Sequence, residues 1–198
     1  MVKAAYSSGS PALGVGAGNT PAILDDTCDV EMAVSSILQS KTFDNGMICA
    51  SEQTVVIDKK IYDKVGKEFI KRGAYICTKA EAEKLGKTII IDNRLNAKIV
   101  GQPAAAIAKL AGFEVPAETK VLIAEAKGIG TGFPFSYEKL SPVLGMYKAD
   151  NFDDALDKAT KLIEFGGLGH TSILYTDPRN DDHINKFGAM VKIGRAHV

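Results

Sequence analysis

Three residue types capable of chemistry stand out in this sequence, each in a turn that leads into strand-forming residues. Cys49 lies in Phe43-Asp44-Asn45-Gly46-Met47-Ile48-Cys49-Ala50-Ser51-Glu52-Gln53, after a glycine that allows a tight turn. A thiol there has two readings. It is either a small buried hydrophobe, as free cysteines commonly are, or a nucleophile that attacks a carbonyl carbon and holds the acyl group as a thioester. Cys28 and Cys77 carry only the first reading, because Cys28 lies among acidic residues that disfavour a thiolate and Cys77 lies in an apolar strand pattern. His170, in Gly167-Leu168-Gly169-His170-Thr171-Ser172, is either a surface or capping group or an acid and base able to work near neutral pH. Glu138, in Glu138-Lys139-Leu140-Ser141-Pro142-Val143-Leu144, is by itself a solvated loop carboxylate. Gly16, Gly18 and Asn19, in Gly14-Val15-Gly16-Ala17-Gly18-Asn19-Thr20-Pro21, do not complete the G-x-G-x-x-G phosphate fingerprint between strand and helix. No metal site is expected. His183 and His197 lie apart, no Cys-x-x-Cys or His-x-x-x-His spacing occurs, and Asp25-Asp26, Asp153-Asp154 and Asp181-Asp182 read as solvated turn and cap charges.

The elements that must position these residues alternate between β-branched runs and stretches of helical period, which predicts an α/β fold with a mostly parallel sheet flanked by helices. Strands are predicted at Thr54–Ile57, Thr88–Ile91, Lys120–Ile123, Val143–Tyr147 and Ser172–Tyr175, each short and apolar enough to be covered on both faces. A helix should follow the cap Asp29 with Val30, Ala33, Val34, Ile37 and Leu38 on one face; a second should open at Asp58 or Lys59 and bury Ile61, Val65, Phe69 and Ile70. A third runs from Pro103 through Leu110 to Gly112. A fourth carries Phe152, Ala155, Leu156, Ala159, Leu162 and Ile163 and stops at Gly166-Gly167.

The 198 residues suffice for one domain with a sizeable core, and no repeat or interdomain linker interrupts them. With 24 basic and 24 acidic residues, nothing favours a nucleic-acid partner. No apolar run approaches the roughly 20 residues of a membrane span. Three cysteines with no leader before them suit a reducing cytoplasm and free thiols.

Taken together and in this order, Gly14–Pro21, Phe43–Gln53, Glu138–Leu144 and Gly167–Ser172 resemble the aldehyde dehydrogenase superfamily, and within it the CoA-acylating branch. The likeness runs from Met1 to about Lys192 and is greatest to the aldehyde dehydrogenase half of bifunctional aldehyde-alcohol dehydrogenases. It implies an aldehyde dehydrogenase-like catalytic domain over residues 1–192, with NAD as cofactor and acetaldehyde and coenzyme A as substrates. It further implies Cys49 as nucleophile, His170 as the group managing the thiol proton, and Glu138 on the nicotinamide ribose. Gly16, Gly18 and Asn19 fall on the cofactor side, forming the floor beneath the reacting carbonyl. The parent protein would be homo-oligomeric or filamentous.

Two positions depart from the wider superfamily. Val15 stands where hydrolytic aldehyde dehydrogenases carry their glutamate base, so an acyl-enzyme here should wait for coenzyme A rather than water. Met47 replaces a usual Gln or Glu. The family's NAD-binding domain, which also supplies an oxyanion-hole asparagine, does not align with any part of this sequence, so the chain alone is expected to be inactive. Both ends are expected to be internal to a longer protein, with Ile193–Val198 resembling a translated adapter oligonucleotide. Two alternatives stay open: a superfamily relative acting on another acyl-CoA or acyl phosphate, such as a succinate semialdehyde enzyme, or a non-catalytic assembly fragment.

Overall fold

A computed structural model of the chain describes residues 2–11 and 18–190. The predicted sheet is present, with six strands all paired in parallel: β1 (Pro21–Leu24), β2 (Thr54–Asp58), β3 (Ala74–Ile76), β6 (Val121–Glu125), β7 (Val143–Ala149) and β8 (Ile173–Tyr175), in the spatial order β3-β6-β7-β2-β1-β8. Pleating sends alternate side chains to opposite faces. Ala22, Leu24, Val55, Ile57, Ile123 and Leu144 therefore meet α2 (Val30–Thr42) and α3 (Tyr62–Lys71) on one side. Ile23, Val56 and Tyr147 meet α6 (Phe152–Gly166) on the other, while Leu122 and Val143 there meet α4 (Lys79–Ile89) and α5 (Ala104–Leu110). Both faces are covered, as the apolar strands require.

Helix limits follow the expected caps. The Asp29 carboxylate accepts the Met32 N–H at 3.0 Å to open α2, and Gly167, at φ +118°, closes α6. The expected strand over Thr88–Ile91 is corrected. Thr78 and Glu81 form a reciprocal capping box that starts α4, and Leu85 and Ile89, one turn apart, bury together and carry that helix through Ile89. Only β4 (Ile90–Ile91) remains extended, paired antiparallel with β5 (Arg94–Leu95) in a separate ribbon. Helix α3 begins at Tyr62 rather than at Asp58 or Lys59, because Asp58 still pairs with Ala149 in the sheet. Strands β1 and β3, α4, α1 (Val2–Tyr6) and α7 (Asp181–Met190) were not among the expected elements. The expected tail at 193–198 lies outside the described residues. No helix among those described is long and apolar enough to cross a membrane.

Candidate active site

In a parallel sheet all strands start at one edge. The segments that immediately precede β1, β2, β7 and β8, four neighbouring strands, must therefore share that edge. These segments hold Gly18–Thr20, Cys49–Gln53, Glu138–Ser141 and His170–Ser172. The topology thus gathers every described sequence-predicted site residue at the amino ends of the strands; Gly16 and Val15 lie outside the described residues.

The turn before Cys49 is held in an unusual backbone state. Asp44, Asn45 and Gly46 have φ of 48°, 49° and 69°, the left-handed region that asparagine, aspartate and glycine tolerate best. Gly46 also lies so close to the Ser141 carbonyl oxygen that a Cβ there would stand 2.7 Å from it. Asn45 Nδ2 donates to the Gly101 carbonyl at 3.0 Å, and the sulfur of the exposed Met47 rests 3.2 Å from where a Gly101 Cβ would be. The Ser51 N–H donates to the Ile48 carbonyl at 3.0 Å and closes a tight turn around Cys49, whose own carbonyl accepts from Thr20 Oγ at 3.3 Å. Cys49 is exposed; Cys77 is buried and Cys28 half-buried. Burial pushes both of the latter thiols up to about 12, Cys28 with added repulsion from Asp25 and Asp29 and Cys77 with added repulsion from Glu81.

Gly18 links Glu138 and His170: its N–H donates to the Glu138 carboxylate, and the His170 ring packs on its Cα. The imidazole lies directly on Gly18, where a Cβ would stand 2.5 Å from His170 Cγ, so only glycine permits this approach. Burial pushes the Glu138 carboxyl up, partly countered by the Gly18 N–H and by the nearby His170, Lys139 and Lys41. Half-buried Glu138 thus spends one acceptor site on a backbone N–H, and a carboxylate retains others suited to a vicinal diol. The Thr171 N–H donates to His170 Nδ1 at 3.0 Å, so the neutral ring carries its proton on Nε2.

Asn19 lies under this cluster. Its side chain is 1% exposed, accepting from Thr54 Oγ at 2.8 Å and donating to the Ser136 carbonyl at 2.7 Å. It therefore braces the Glu138 loop from beneath. Beneath the same edge lies a buried polar layer that the sequence did not reveal. Lys41 and Lys139 are both 0% exposed. Burial lowers Lys41 to about 7 despite Glu52 and Glu138 nearby, and burial with repulsion from Lys41 holds Lys139 well below an ordinary lysine. Lys139 Nζ donates to the Phe135 and Tyr137 carbonyls at 2.8 and 2.7 Å, gathering the loop that ends in Glu138. Lysine is so commonly exposed that no sequence pattern would have singled out either residue.

The opposite edge holds a different constellation. Asp25, expected as a solvated turn charge, is buried and accepts from the Thr27 N–H at 2.8 Å, from the hydroxyls of Thr27 and Thr176, and lies 2.7 Å from His183 Nδ1. The His183 ring also stacks on Phe152 at 3.7 Å, so α7 is tied to the start of α6 as well as, through Asp25, to the end of β1. A cavity of about 720 Å³, lined in part by Cys77, Lys79, Glu125, Gly128 and Phe133, also opens at this edge, beyond β3 and β6. It contains none of the predicted catalytic groups. Among the described residues, no three His, Cys, Asp or Glu side chains are grouped to hold a metal.

Comparison with known proteins supports the same family. The aldehyde dehydrogenase family profile matches residues 2–118. An aldehyde-alcohol dehydrogenase of Clostridium acetobutylicum is 55% identical over 100% of this chain and 23% of its own length. The crystal structure of an acetylating aldehyde dehydrogenase from Geobacillus thermoglucosidasius superposes with a TM-score of 0.93 at 44% identity, over 98% of this chain and 42% of that one. A propionaldehyde dehydrogenase from Rhodopseudomonas palustris, determined with bound CoA and an acylated cysteine, gives a TM-score of 0.86 at 27% identity, over 97% of this chain and 43% of that one. The chain spans about a quarter of the length of its curated aldehyde-alcohol dehydrogenase relative. From the parallel sheet, the turn that presents Cys49 and these likenesses, we conclude that the chain belongs to the aldehyde dehydrogenase family, among relatives named as aldehyde-alcohol and acetylating aldehyde dehydrogenases.

Proposed function

We propose that this chain supplies the acyl-transfer half of an NAD-dependent, CoA-acylating acetaldehyde dehydrogenase. One observation carries the assignment: of the three cysteines, Cys49 is the exposed one, and its turn sits at the same strand edge as the Gly18–Glu138–His170 cluster. The Cys49 thiolate attacks the aldehyde carbonyl carbon and forms a thiohemiacetal. NAD⁺, when bound, supplies the hydride acceptor. Loss of hydride and of the hydroxyl proton leaves a thioester on Cys49, and the thiolate of coenzyme A then displaces the cysteine to give acetyl-CoA. The reverse sequence reduces acetyl-CoA.

His170 is the group suited to the thiol protons: with Nδ1 accepting from Thr171, the neutral ring carries its proton on Nε2 and can present it as a donor to a thiolate. Glu138 is the residue suited to receive the ribose hydroxyls. The acylated cysteine and bound CoA of the Rhodopseudomonas relative support this order of events. Thiolate suits both halves, being a good nucleophile toward the carbonyl and a good leaving group from the thioester.

The test is a chimera in which this chain replaces the matching segment of the Clostridium acetobutylicum enzyme. It should form NADH from acetaldehyde, CoA and NAD⁺, and Cys49→Ser should abolish this. Activity retained by Cys49→Ser sinks the proposal. Preference for succinate semialdehyde over acetaldehyde would instead favour the second substrate class, for which a Clostridium kluyveri acetylating relative at 40% identity is the motivation. The purified chain alone should give no steady NADH signal.

A further inference from the structure

Gln53 occupies a position that no catalytic role explains. It is 0% exposed, yet it carries a carboxamide, and burying such a group is costly unless its hydrogen bonds are made. They are made, and to different parts of the site. Nε2 donates to the Ser51 carbonyl at 3.2 Å, two residues after Cys49. Oε1 accepts the Lys139 N–H at 2.9 Å, one residue after Glu138, and Lys41 Nζ reaches the same oxygen at 3.3 Å. The backbone continues the pattern. The Gln53 N–H donates to the Thr20 carbonyl at 3.0 Å, Thr20 Oγ holds the Cys49 carbonyl, and the Gly145 N–H donates to the Gln53 carbonyl at 3.2 Å.

A single side chain thus bridges the nucleophile's turn and the loop that ends in the carboxylate. Neither loop has regular structure that would fix its distance from the other: one leaves a left-handed turn at Asp44–Gly46 and the other passes through Leu140 at φ 43°. Hydride transfer requires the carbon on the sulfur and the cofactor to meet within a narrow range, and a shift of about 1 Å can cost on the order of 10²-fold in rate.

We propose that Gln53, with Lys41 behind it, is a positioning residue that sets the separation between Cys49 and Glu138. This rests on the roles proposed above for those two residues. Its signature is selective: each loop should keep its own function when the bridge is cut, while the step that needs both should fail. A residue that merely supports the fold would impair all three together.

In the chimeric enzyme, Gln53→Met keeps the length of the side chain and removes its hydrogen bonds. Gln53→Glu keeps an acceptor toward Lys139 and Lys41 and loses the donor toward Ser51. Three quantities are read: NAD⁺ affinity, the rate of Cys49 alkylation by iodoacetamide, and the single-turnover rate of NADH formation. For Gln53→Met the first two should stay within about threefold, while NADH formation falls by about 10- to 100-fold; Gln53→Glu should fall less. NADH formation unchanged in Gln53→Met overturns the inference, and so does a parallel loss of all three with a lowered thermal midpoint. Cys49→Ser is the separating arm. NADH formation surviving there defeats the role of Cys49, whereas an inactive Cys49→Ser beside a fully active Gln53→Met defeats only the role of Gln53.

Discussion

At the carboxyl ends of β1 and β8, Asp25 is buried with its partners supplied by Thr27, Thr176 and His183. At the amino ends of the neighbouring strands the polar groups are equally buried but less well served. Among the described residues, Ser51 Oγ, Glu52 Oε2 and Ser141 Oγ have no hydrogen-bond partner, and Lys41 and Lys139 lie at zero exposure in the same layer. A protein gains nothing in stability from unpaired buried polar atoms, which cost about 1–3 kcal/mol each. The first edge is built for holding elements together. The second tolerates cost where the proposed chemistry lies, as strained and functional regions often do.

Perturbing one edge and then the other should give different kinds of loss. The largest effect is expected at the amino edge: Cys49→Ser in the chimera should lower NADH formation by on the order of 10³-fold or more while leaving the thermal midpoint in place. Next, iodoacetamide at pH 8 should label Cys49 in the chain itself at least about 10²-fold faster than Cys28 or Cys77, whose thiols are pushed up to about 12. Peptide mapping measures this, and equal labelling of all three would remove the distinction between the cysteines.

At the carboxyl edge the expected loss is in stability. Asp25→Ala strips partners from His183, Thr176 and Thr27 and should cost about 2–4 kcal/mol by denaturant titration at pH 7, with the Cys49 labelling rate unchanged. Burial pushes the Asp25 carboxyl up, but the hydrogen bonds from His183, Thr176 and Thr27 outweigh it and hold the group below the ordinary carboxylate range. A depressed folded-state value means that the stabilisation is complete above roughly pH 4 and fades as pH falls through the folded value. The gap between wild type and Asp25→Ala should therefore narrow at pH 3; a constant gap would mean that the charge plays no part. The smallest effect belongs to Asn45→Ala, about 1 kcal/mol for a left-handed position, with a change in Cys49 labelling that Asp25→Ala does not produce.

Strands β2, β6, β7 and β8 were legible because a parallel strand covered on both faces is an uninterrupted apolar run, and Asp29, Gly112 and Gly166-Gly167 announced helix ends through capping chemistry. Strand β1 was not, since Pro21-Ala22-Ile23-Leu24 is only four residues long and opens on proline, tolerated there as the first strand residue. Thr88–Ile91 misled because β-branched residues closing a helix look like a strand until the Thr78–Glu81 capping box is weighed. For the site, local motifs pointed to Cys49, Glu138 and His170, but Gln53, Lys41 and Lys139 gave no signal. Their importance lies in contacts such as Lys139 to Gln53, 86 residues apart, which no local pattern encodes. The Asp25–His183 contact spans 158 residues and was hidden for the same reason.

The left-handed run ahead of Cys49 has a consequence for how such sites are found. Asp44, Asn45 and Gly46 are the residue types that a hairpin of positive φ accepts, and at Gly46 the Ser141 carbonyl leaves no room for a Cβ. A randomised library over these three positions, selected for folding alone, should return the same small alphabet. Much of what makes the segment recognisable as a motif is thus a record of backbone shape, written by geometry before any thiol chemistry is asked of it.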